Sequence, residues 1–317
     1  MADLPFSQHF ILQELSDGVF AAIHRQGGWA IGNAGIIDLG DRTLVFDTFL
    51  SPKATTDLLY AATELTGRPV SYVLNSHFHN DHVWGNQAVP LETDIIATKQ
   101  TRERMAKRGS KEDDWYRQNA LKNYIEARLE FEKTTDPFAK TLAKEIVIYN
   151  EAIVDTYPAL RYRLPTIAFD GVLDFYGSKR SVKLISCGAG HSLSDAFLYL
   201  PEDQIIFLAD LLFIDVHPYL GDGNPVKLCK ILEEIKNMQI KYLIPGHGPI
   251  GGLKDLDVIL AYIHELEGLV KQALMNGIKL DQLLLSSIPP AYQNWSFPKF
   301  FYENLQFLYE RTTAIDL

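Results

Sequence analysis

The chain has 317 residues, of which 47% are hydrophobic and 22% charged, a composition typical of a globular protein and not of a disordered one. Forty acidic residues against thirty basic ones give a net charge of −10, which disfavours a nucleic-acid partner because phosphates would be repelled. The two cysteines, Cys187 and Cys229, are too few for a disulfide framework, which favours a reducing compartment. No apolar run approaches the roughly 18 residues of a membrane span. The first residues also lack a secretory-signal pattern, so we expect a cytoplasmic protein outside the membrane.

The first hundred residues predict strands with one long helix between them. Apolar runs separated by turn signals such as Gly27-Gly28 predict strands up to about residue 50. Leucines and alanines at helical spacing predict a helix over Thr55–Thr66, and strands are expected at Val70–Asn75 and Asp94–Thr98. The segment 99–157 is dense in charge, poor in glycine and too long for a plain loop, so it predicts two or three helices.

Strand signals return after this helical segment. They predict strands at Ile167–Phe175, Ser181–Ser186, Ala196–Leu200, Gln204–Ala209 and Lys241–Ile244. Helices are expected at Val226–Asn237, Asp255–Met275, Asp281–Ser286 and Phe297–Glu310. This alternation predicts an α/β fold with sheets packed face to face and helices outside. We expect a core formed by residues 1–98 and 158–252, a helical insertion at 99–157 and a helical C-terminal extension at 253–317.

The segment from Asn75 to Asn86 carries the chemistry. It holds four potential metal ligands within six residues, directly after a predicted strand: His77, His79, Asp81 and His82. Imidazole and carboxylate together suit zinc, iron or manganese. The spacing excludes the helical zinc motif with two histidines four residues apart. A turn that leaves a strand end can direct alternate side chains to two sides, so this cluster can serve two neighbouring metals.

Two metals need more ligands than this cluster supplies, because a catalytic site uses about three protein ligands per metal. Three further candidates follow predicted strands downstream. His191 lies in Gly190-His191-Ser192, Asp210 ends the run QIIFLAD, and His247 lies in Pro245-Gly246-His247-Gly248. Open α/β sheets place their sites at such strand ends.

These elements, together with Asp47 in VFDTF, occur in the order found in the metallo-β-lactamase superfamily, which the chain resembles from about Gly18 to Pro249. The resemblance implies an αββα sandwich with a two-metal site on one edge. By position, the first metal's ligands are matched by His77, His79 and His191, and the second's by Asp81, His82 and His247. Asp210 matches the carboxylate that bridges the metals, and Asp47 matches the acid behind the ligands that orients the cluster.

The same resemblance implies a hydrolase in which two divalent ions, zinc ahead of iron or manganese, share a hydroxide that attacks an acyl carbon. Asp81 and Asp210 would be the catalytic carboxylates. A small molecule containing a carboxylic ester, lactone, thioester or lactam is the expected substrate class. β-Lactamases of the commonest subclass have Cys where Asp210 stands, and the lactonases with Tyr three residues later differ here at Phe213. A phosphodiesterase and a mononuclear iron dioxygenase of the persulfide type remain as alternatives.

Several assignments near the site stay open. Asp47 could instead cap a turn. Trp29 follows a glycine pair and is expected either as a substrate contact on a flap or as a packed side chain. His217 could contact substrate or be an ordinary loop histidine. The insertion 99–157 could be a lid over the site or a surface for forming a homo-oligomer.

Overall fold

The structure, a computed structural model, describes the chain from residue 4 to residue 315, apart from the side chains of 110–113 and 315. Two β-sheets form its centre. The first sheet has strand order 1 to 7: β1 Phe10–Ser16, β2 Val19–His24, β3 Ala34–Asp38, β4 Thr43–Phe46, β5 Tyr72–Leu74, β6 Asp94–Thr98 and β7 Ile167–Phe169. The second has order 12 to 8: β8 Val172–Tyr176, β9 Ser181–Gly188, β10 Asp195–Leu200, β11 Ile205–Phe213 and β12 Tyr242–His247.

Helices pack around the two sheets. They are α1 Pro52–Thr66, α2 Asn80–Val83, α3 Lys99–Lys133, α4 Pro137–Thr156, α5 Pro225–Ile235, α6 Leu253–Met275, α7 Leu280–Leu283 and α8 Lys299–Ile315. Short 3-10 helices lie directly after α2, at Trp84–Ala88, and directly after α4, at Tyr157–Ala159. Within residues 4–315, no helix combines the length and the apolar character that crossing a bilayer requires.

The two sheets pack face to face through apolar side chains. Phe46 of β4 lies against Phe207 of β11, with ring centroids 5.9 Å apart. Strands β2, β3 and β4 are buried on both faces, because α1 packs on the side away from the second sheet. On the far side of the second sheet, α5, α6 and α8 share one apolar cluster with β11. The αββα sandwich expected from the sequence is therefore confirmed, with its helical insertion and helical C-terminal extension.

Local sequence explains why α1 begins and ends where it does. The side chain of Ser51 accepts a hydrogen bond from the backbone N–H of Lys53, and Pro52 fills the first helical position. Gly67 ends the helix in the left-handed region at φ 70°, where an L-residue with a side chain would be strained. The element therefore starts three residues before the predicted Thr55 and stops at the predicted Thr66.

Two predicted strands differ from those observed. The run Ile167–Phe175 is two strands, β7 and β8, which belong to different sheets because Gly171 at φ 73° turns the chain between them. Asp210 does not end its strand, since β11 continues to Phe213 with its register interrupted around Ala209. This irregularity directs the carboxylate toward the edge of the sandwich.

The two helices α3 and α4 lie between β6 and β7 and pack against the loop that follows β5. Met105 of α3 and Ile153 of α4 are buried in one apolar cluster with Phe78 and Trp84. The insertion thus shares buried surface with the segment that carries the histidine cluster.

Candidate metal centre

Seven histidine and aspartate side chains converge at one edge of the sandwich. One group comprises His77, His79, His191 and Asp210, and a second comprises Asp81, His82 and His247. Within each group the potential ligand atoms lie within 4.8 Å of one another. The residues come from the end of β5, from α2, from the turn between β9 and β10, from β11 and from the end of β12. The structure therefore brings together every metal-ligand candidate named from the sequence.

Asp210 lies between the two groups and is only 4% exposed. Its Oδ2 atom is 3.2 Å from His191 Nε2 and 3.7 Å from His77 Nε2. Its Oδ1 atom is 3.0 Å from His82 Nε2 and 3.5 Å from His247 Nε2. Each carboxylate oxygen thus faces a different group of imidazoles.

The donor atoms of the cluster have the properties of metal ligands. Within residues 4–315, the atoms His77 Nε2, His82 Nε2 and Asp210 Oδ1 are buried and have no hydrogen-bond partner. His82 Nε2 and Asp210 Oδ1 lie 3.0 Å apart without forming a hydrogen bond. Buried polar atoms without partners are rare in folded proteins unless a ligand satisfies them. Imidazole nitrogen and carboxylate oxygen are the ligands that zinc, iron and manganese share. The cluster is therefore a metal-binding site.

Asp47 lies behind the cluster and is fully buried. Its Oδ2 accepts a hydrogen bond from His82 Nδ1 at 2.9 Å and from Ser76 Oγ at 2.7 Å, and its Oδ1 accepts from the Ser76 backbone N–H at 2.8 Å. Ser76 Oγ in turn lies 2.9 Å from His77 Nδ1. Since the Nδ1 atoms of both rings are engaged on this side, their Nε2 atoms point toward the centre of the cluster.

Asp222 supports His79 in a similar way, and the sequence analysis did not find it. His79 Nε2 lies 3.0 Å from Asp222 Oδ2, so its Nδ1 atom faces the cluster, 2.9 Å from His191 Nε2. Arg108 of α3 donates to the same Asp222 oxygen at 3.1 Å, and its guanidinium lies 5.1 Å from the centre of the Phe78 ring. Hydrogen bonding to His79 lowers the pKa of Asp222, so this carboxyl is ionised at neutral pH. The helical insertion thereby contacts the support of a candidate ligand.

Polar side chains fix the two loops that carry the remaining histidines. Asp195 accepts hydrogen bonds from the Gly190 and Ser192 backbone N–H groups and from Ser192 Oγ, which closes the turn around His191. Burial raises the pKa of Asp195 to about 6.

Asn33 holds the loop around His247. Its Nδ2 donates to the backbone oxygens of Pro245 and Gly248, both at 2.9 Å. Gly246 is required in this loop, because a Cβ atom at that position would overlap Asp210 Oδ1. Asn33, like Asp222, was not identified as a site residue from the sequence.

The ionisation of Asp81 and His247, in the second group of ligands, depends on the charges of their neighbours. Burial opposes ionisation of Asp81, but His82 and His247 outweigh it and lower the pKa of this carboxyl to about 2. Burial also disfavours a charged His247, yet Asp210 and Asp81 raise its pKa to about 9. His191 differs, because burial lowers its pKa to about 3 despite the nearby Asp210. The carboxylates of the cluster are thus anionic at neutral pH and suited to holding cations.

Comparison with known proteins places this site in a family. The family model described as the metallo-beta-lactamase superfamily matches residues 27–247, a range that contains all seven residues of the cluster. The chain belongs to the metallo-beta-lactamase superfamily. The family predicted from the sequence motifs is therefore confirmed.

Two solved structures have a similar fold. A metallo-beta-lactamase from Pontibacter korlensis aligns with a TM-score of 0.56 at 16% identity, covering 80% of this chain and 99% of that protein. The crystal structure of VMB-1 aligns with a TM-score of 0.57 at 16% identity, covering 82% of this chain and 99% of that one. At this identity the likeness establishes the shared fold.

In this superfamily member a cavity of about 670 Å³ opens directly onto the metal centre. His79, Asp81 and Asp210 form its floor. Its walls come from α3, α4, the loop after β11 and the segment that leads into α8. Helices α3 and α4 of the insertion therefore line the cavity that leads to the metal centre, and whether the insertion acts as a lid stays a prediction.

The two residues expected near the substrate have different positions. His217 lines the cavity but is fully buried, with Nδ1 2.9 Å from the Tyr262 hydroxyl, and burial lowers its pKa to about 4. Trp29 lies outside the cavity lining. It stacks on His9 at 6.0 Å and beneath the Lys53 ammonium at 4.9 Å, so it packs against both neighbours, and its role as a substrate contact stays a prediction.

Proposed function

We propose that the protein is a hydrolase that cleaves an ester, thioester, lactone or lactam bond of a small molecule at a two-metal site. The observation that carries the proposal is the position of Asp210, whose two oxygens each face a separate group of imidazole nitrogens. A carboxylate placed in this way can bridge two cations and reduce their repulsion.

The residues divide into two sets of ligands. His77 Nε2, His79 Nδ1 and His191 Nε2 would hold one ion, and Asp81, His82 and His247 the other, with Asp210 shared. When bound, two such ions lower the pKa of a shared water toward neutrality and polarise an acyl oxygen. Zinc is the metal we propose, because the ligands are mostly imidazole with few carboxylates.

The chain's own groups account for the proton in this reaction. Hydrolysis adds the oxygen of water to the acyl carbon, breaks the bond to the leaving group and delivers a proton to it. Asp81 lines the cavity and is ionised at neutral pH, since His82 and His247 outweigh the effect of burial on its pKa. Asp81 Oδ2, 3.2 Å from His247 Nε2, is the oxygen that would hold the ion, and we assign the other oxygen, Oδ1, to accept the water proton and pass it to the leaving group.

The alternatives make different demands on the same cluster. A mononuclear iron dioxygenase needs one set of ligands, whereas the group of Asp81, His82 and His247 supplies a second set that such an enzyme would not use. A phosphodiesterase uses the same metal pair, so the choice between carboxylic and phosphate esters rests on the substrate test.

The test uses metal-free protein loaded with zinc, iron or manganese in parallel. Each form is assayed with an aryl ester, a thioester, a lactone, a β-lactam and an aryl phosphodiester, and its metal content is measured. We expect about two ions per chain and turnover of at least one carboxylic substrate. Turnover of the phosphodiester alone, or one iron per chain with no hydrolysis, would contradict the proposal.

A further inference from the structure

A row of aromatic rings runs from the metal centre along the cavity to the helical insertion. The Tyr219 ring lies 6.3 Å from the His79 ring, and Phe300 lies 5.6 Å from Tyr219. Phe297 stacks on Phe300 at 5.9 Å, and Tyr149 of α4 meets Phe297 at 6.4 Å. We call Tyr219, Phe300, Phe297 and Tyr149 the aromatic row. All four residues line the cavity.

The backbone around Phe297 is held in an uncommon conformation. Phe297 has φ 56°, a value that bulky residues rarely adopt. The preceding Ser296 is fixed by two backbone hydrogen bonds, donating to Asp215 O at 2.9 Å and accepting from His217 N–H at 3.0 Å. Strain of this kind persists where the surrounding contacts impose it, often at ligand sites. Its effect here is to place the Phe297 ring on the cavity wall.

Apolar side chains also line the cavity beside the aromatic row. Phe213 stacks on His247 with ring centroids 5.2 Å apart, and Ile153 and Val216 also line the cavity. An apolar wall binds apolar groups because their transfer from water is favourable. The part of a ligand closest to the metals would therefore lie between hydrophobic surfaces.

Charged groups on the cavity lining restrict the far end of a ligand. The basic side chains on the described lining, Arg108 and Lys299, each pair with an acidic side chain. Arg108 lies 3.1 Å from Asp222, and Lys299 lies 3.2 Å from Glu303. Glu126 and Glu130 of α3 also line the cavity; both are exposed, and Glu126 lies 3.8 Å from Lys122. These carboxylates would repel a ligand that ends in an anion.

We propose that the substrate carries an uncharged apolar acyl group, an alkyl chain or an aryl ring, that lies along the aromatic row with its carbonyl at the metal centre. The inference rests on the proposed hydrolase function and names its substrate class. A cavity of about 670 Å³ is within the range of roughly 300–1,000 Å³ typical of small-molecule sites.

The experiment measures chain-length dependence in two independent ways on zinc-loaded protein. Aryl esters of acyl chains with two to ten carbons give kcat/KM, and the matching free carboxylates give dissociation constants by calorimetry. Each buried methylene should raise kcat/KM and lower the dissociation constant by about fourfold until the row is covered. A ten-carbon acyl group ending in a carboxylate should lose most of this gain, because its charge would meet Glu126 and Glu130.

Two variants test whether the acyl chain of the substrate lies along the aromatic row. Phe300→Ala and, separately, Tyr149→Ala should each lower the ratio of decanoyl to acetyl kcat/KM by about tenfold, as expected for removing a large apolar contact. Leu285→Ala is the matched control, because Leu285 is 84% exposed and outside the cavity lining. Its ratio should equal that of the wild type. Two variants on different elements keep the test decisive if one of them does not fold.

The outcomes separate this inference from the proposed function. If carboxylate binding steepens with chain length while no ester is hydrolysed, the inference holds and the hydrolase function fails. If esters are hydrolysed but both series are flat with chain length, the hydrolase function holds and the inference is overturned. Wild-type chain-length ratios in both variants would also overturn it, because the acyl group would then lie elsewhere.

Discussion

Asp210→Asn removes one negative charge from the centre of the ligand cluster while keeping the size of the side chain. The carboxylate lies 3.0–3.7 Å from four imidazole nitrogens, so any cations those nitrogens hold would be close to it. Two unit charges about 4 Å apart interact by about 4 kcal/mol at an effective dielectric constant of 20. The amide oxygen of Asn would recover part of this. We therefore expect one of the two metals to bind at least about 100-fold more weakly, which is at the upper end of the loss seen when coordination shells are disturbed.

The assay is metal content after equilibration with chelators of graded strength, together with kcat/KM on the best substrate. The variant should retain one tightly bound ion and lose the other, and its rate should fall by about 10²–10³-fold, as when one electrostatic stabiliser is removed. Asp215→Asn is the matched control, because Asp215 is exposed and lies at φ 58°, a conformation that Asn tolerates. Two tightly bound ions and a near wild-type rate in Asp210→Asn would refute the bridging assignment.

Three further perturbations test other parts of the structure. Asp222→Asn should let a chelator extract metal about tenfold faster, because His79 loses a charged partner at 3.0 Å; an unchanged extraction rate would show that Asp222 does not support this ligand. Trp84→Ala should lower the free energy of unfolding by about 3–5 kcal/mol in urea, since Trp84 is 2% exposed; a loss below 1 kcal/mol would contradict the packing described. Burial raises the pKa of Asp38, but hydrogen bonds led by Lys179 outweigh it and lower the pKa overall. The ionised carboxylate therefore stabilises the fold above the ordinary pKa of 3.8, and this stabilisation is lost as the pH falls through the lower pKa of the folded state. The stability gap between wild type and Asp38→Asn should therefore close as the pH falls below the ordinary value of 3.8, and a gap that widens on acidification would be inconsistent with this sign.

The sequence predicted the ligand cluster well because its signal is local or follows strand ends. His77, His79, Asp81 and His82 lie within six residues, and their pattern alone indicated a metal site. His247 closes a β-strand, where parallel strands bring residues to a common edge. The fold class followed from the same alternation of strands and helices.

What the sequence did not predict depends on contacts between distant segments. His79 and Asp222 are 143 residues apart, and Asn33 contacts Pro245 across 212 residues, so neither pairing leaves a local pattern. Trp29 was ambiguous for the opposite reason, because a lone aromatic residue beside a glycine turn fits a flap and a packed side chain equally well. The break between β7 and β8 did have a signal, the turn pair Asp170-Gly171.

On the proposed function, hydrolysis of an acyl bond needs two metals bound by this cluster. The most direct measurement is the rate of aryl decanoate hydrolysis by metal-free protein as zinc is added from zero to three equivalents, with bound zinc measured at each point. We predict a low rate up to one bound ion per chain, a steep rise as the second ion binds, and a plateau at two. A full rate at one bound ion, or no hydrolysis with two ions bound, would contradict the account.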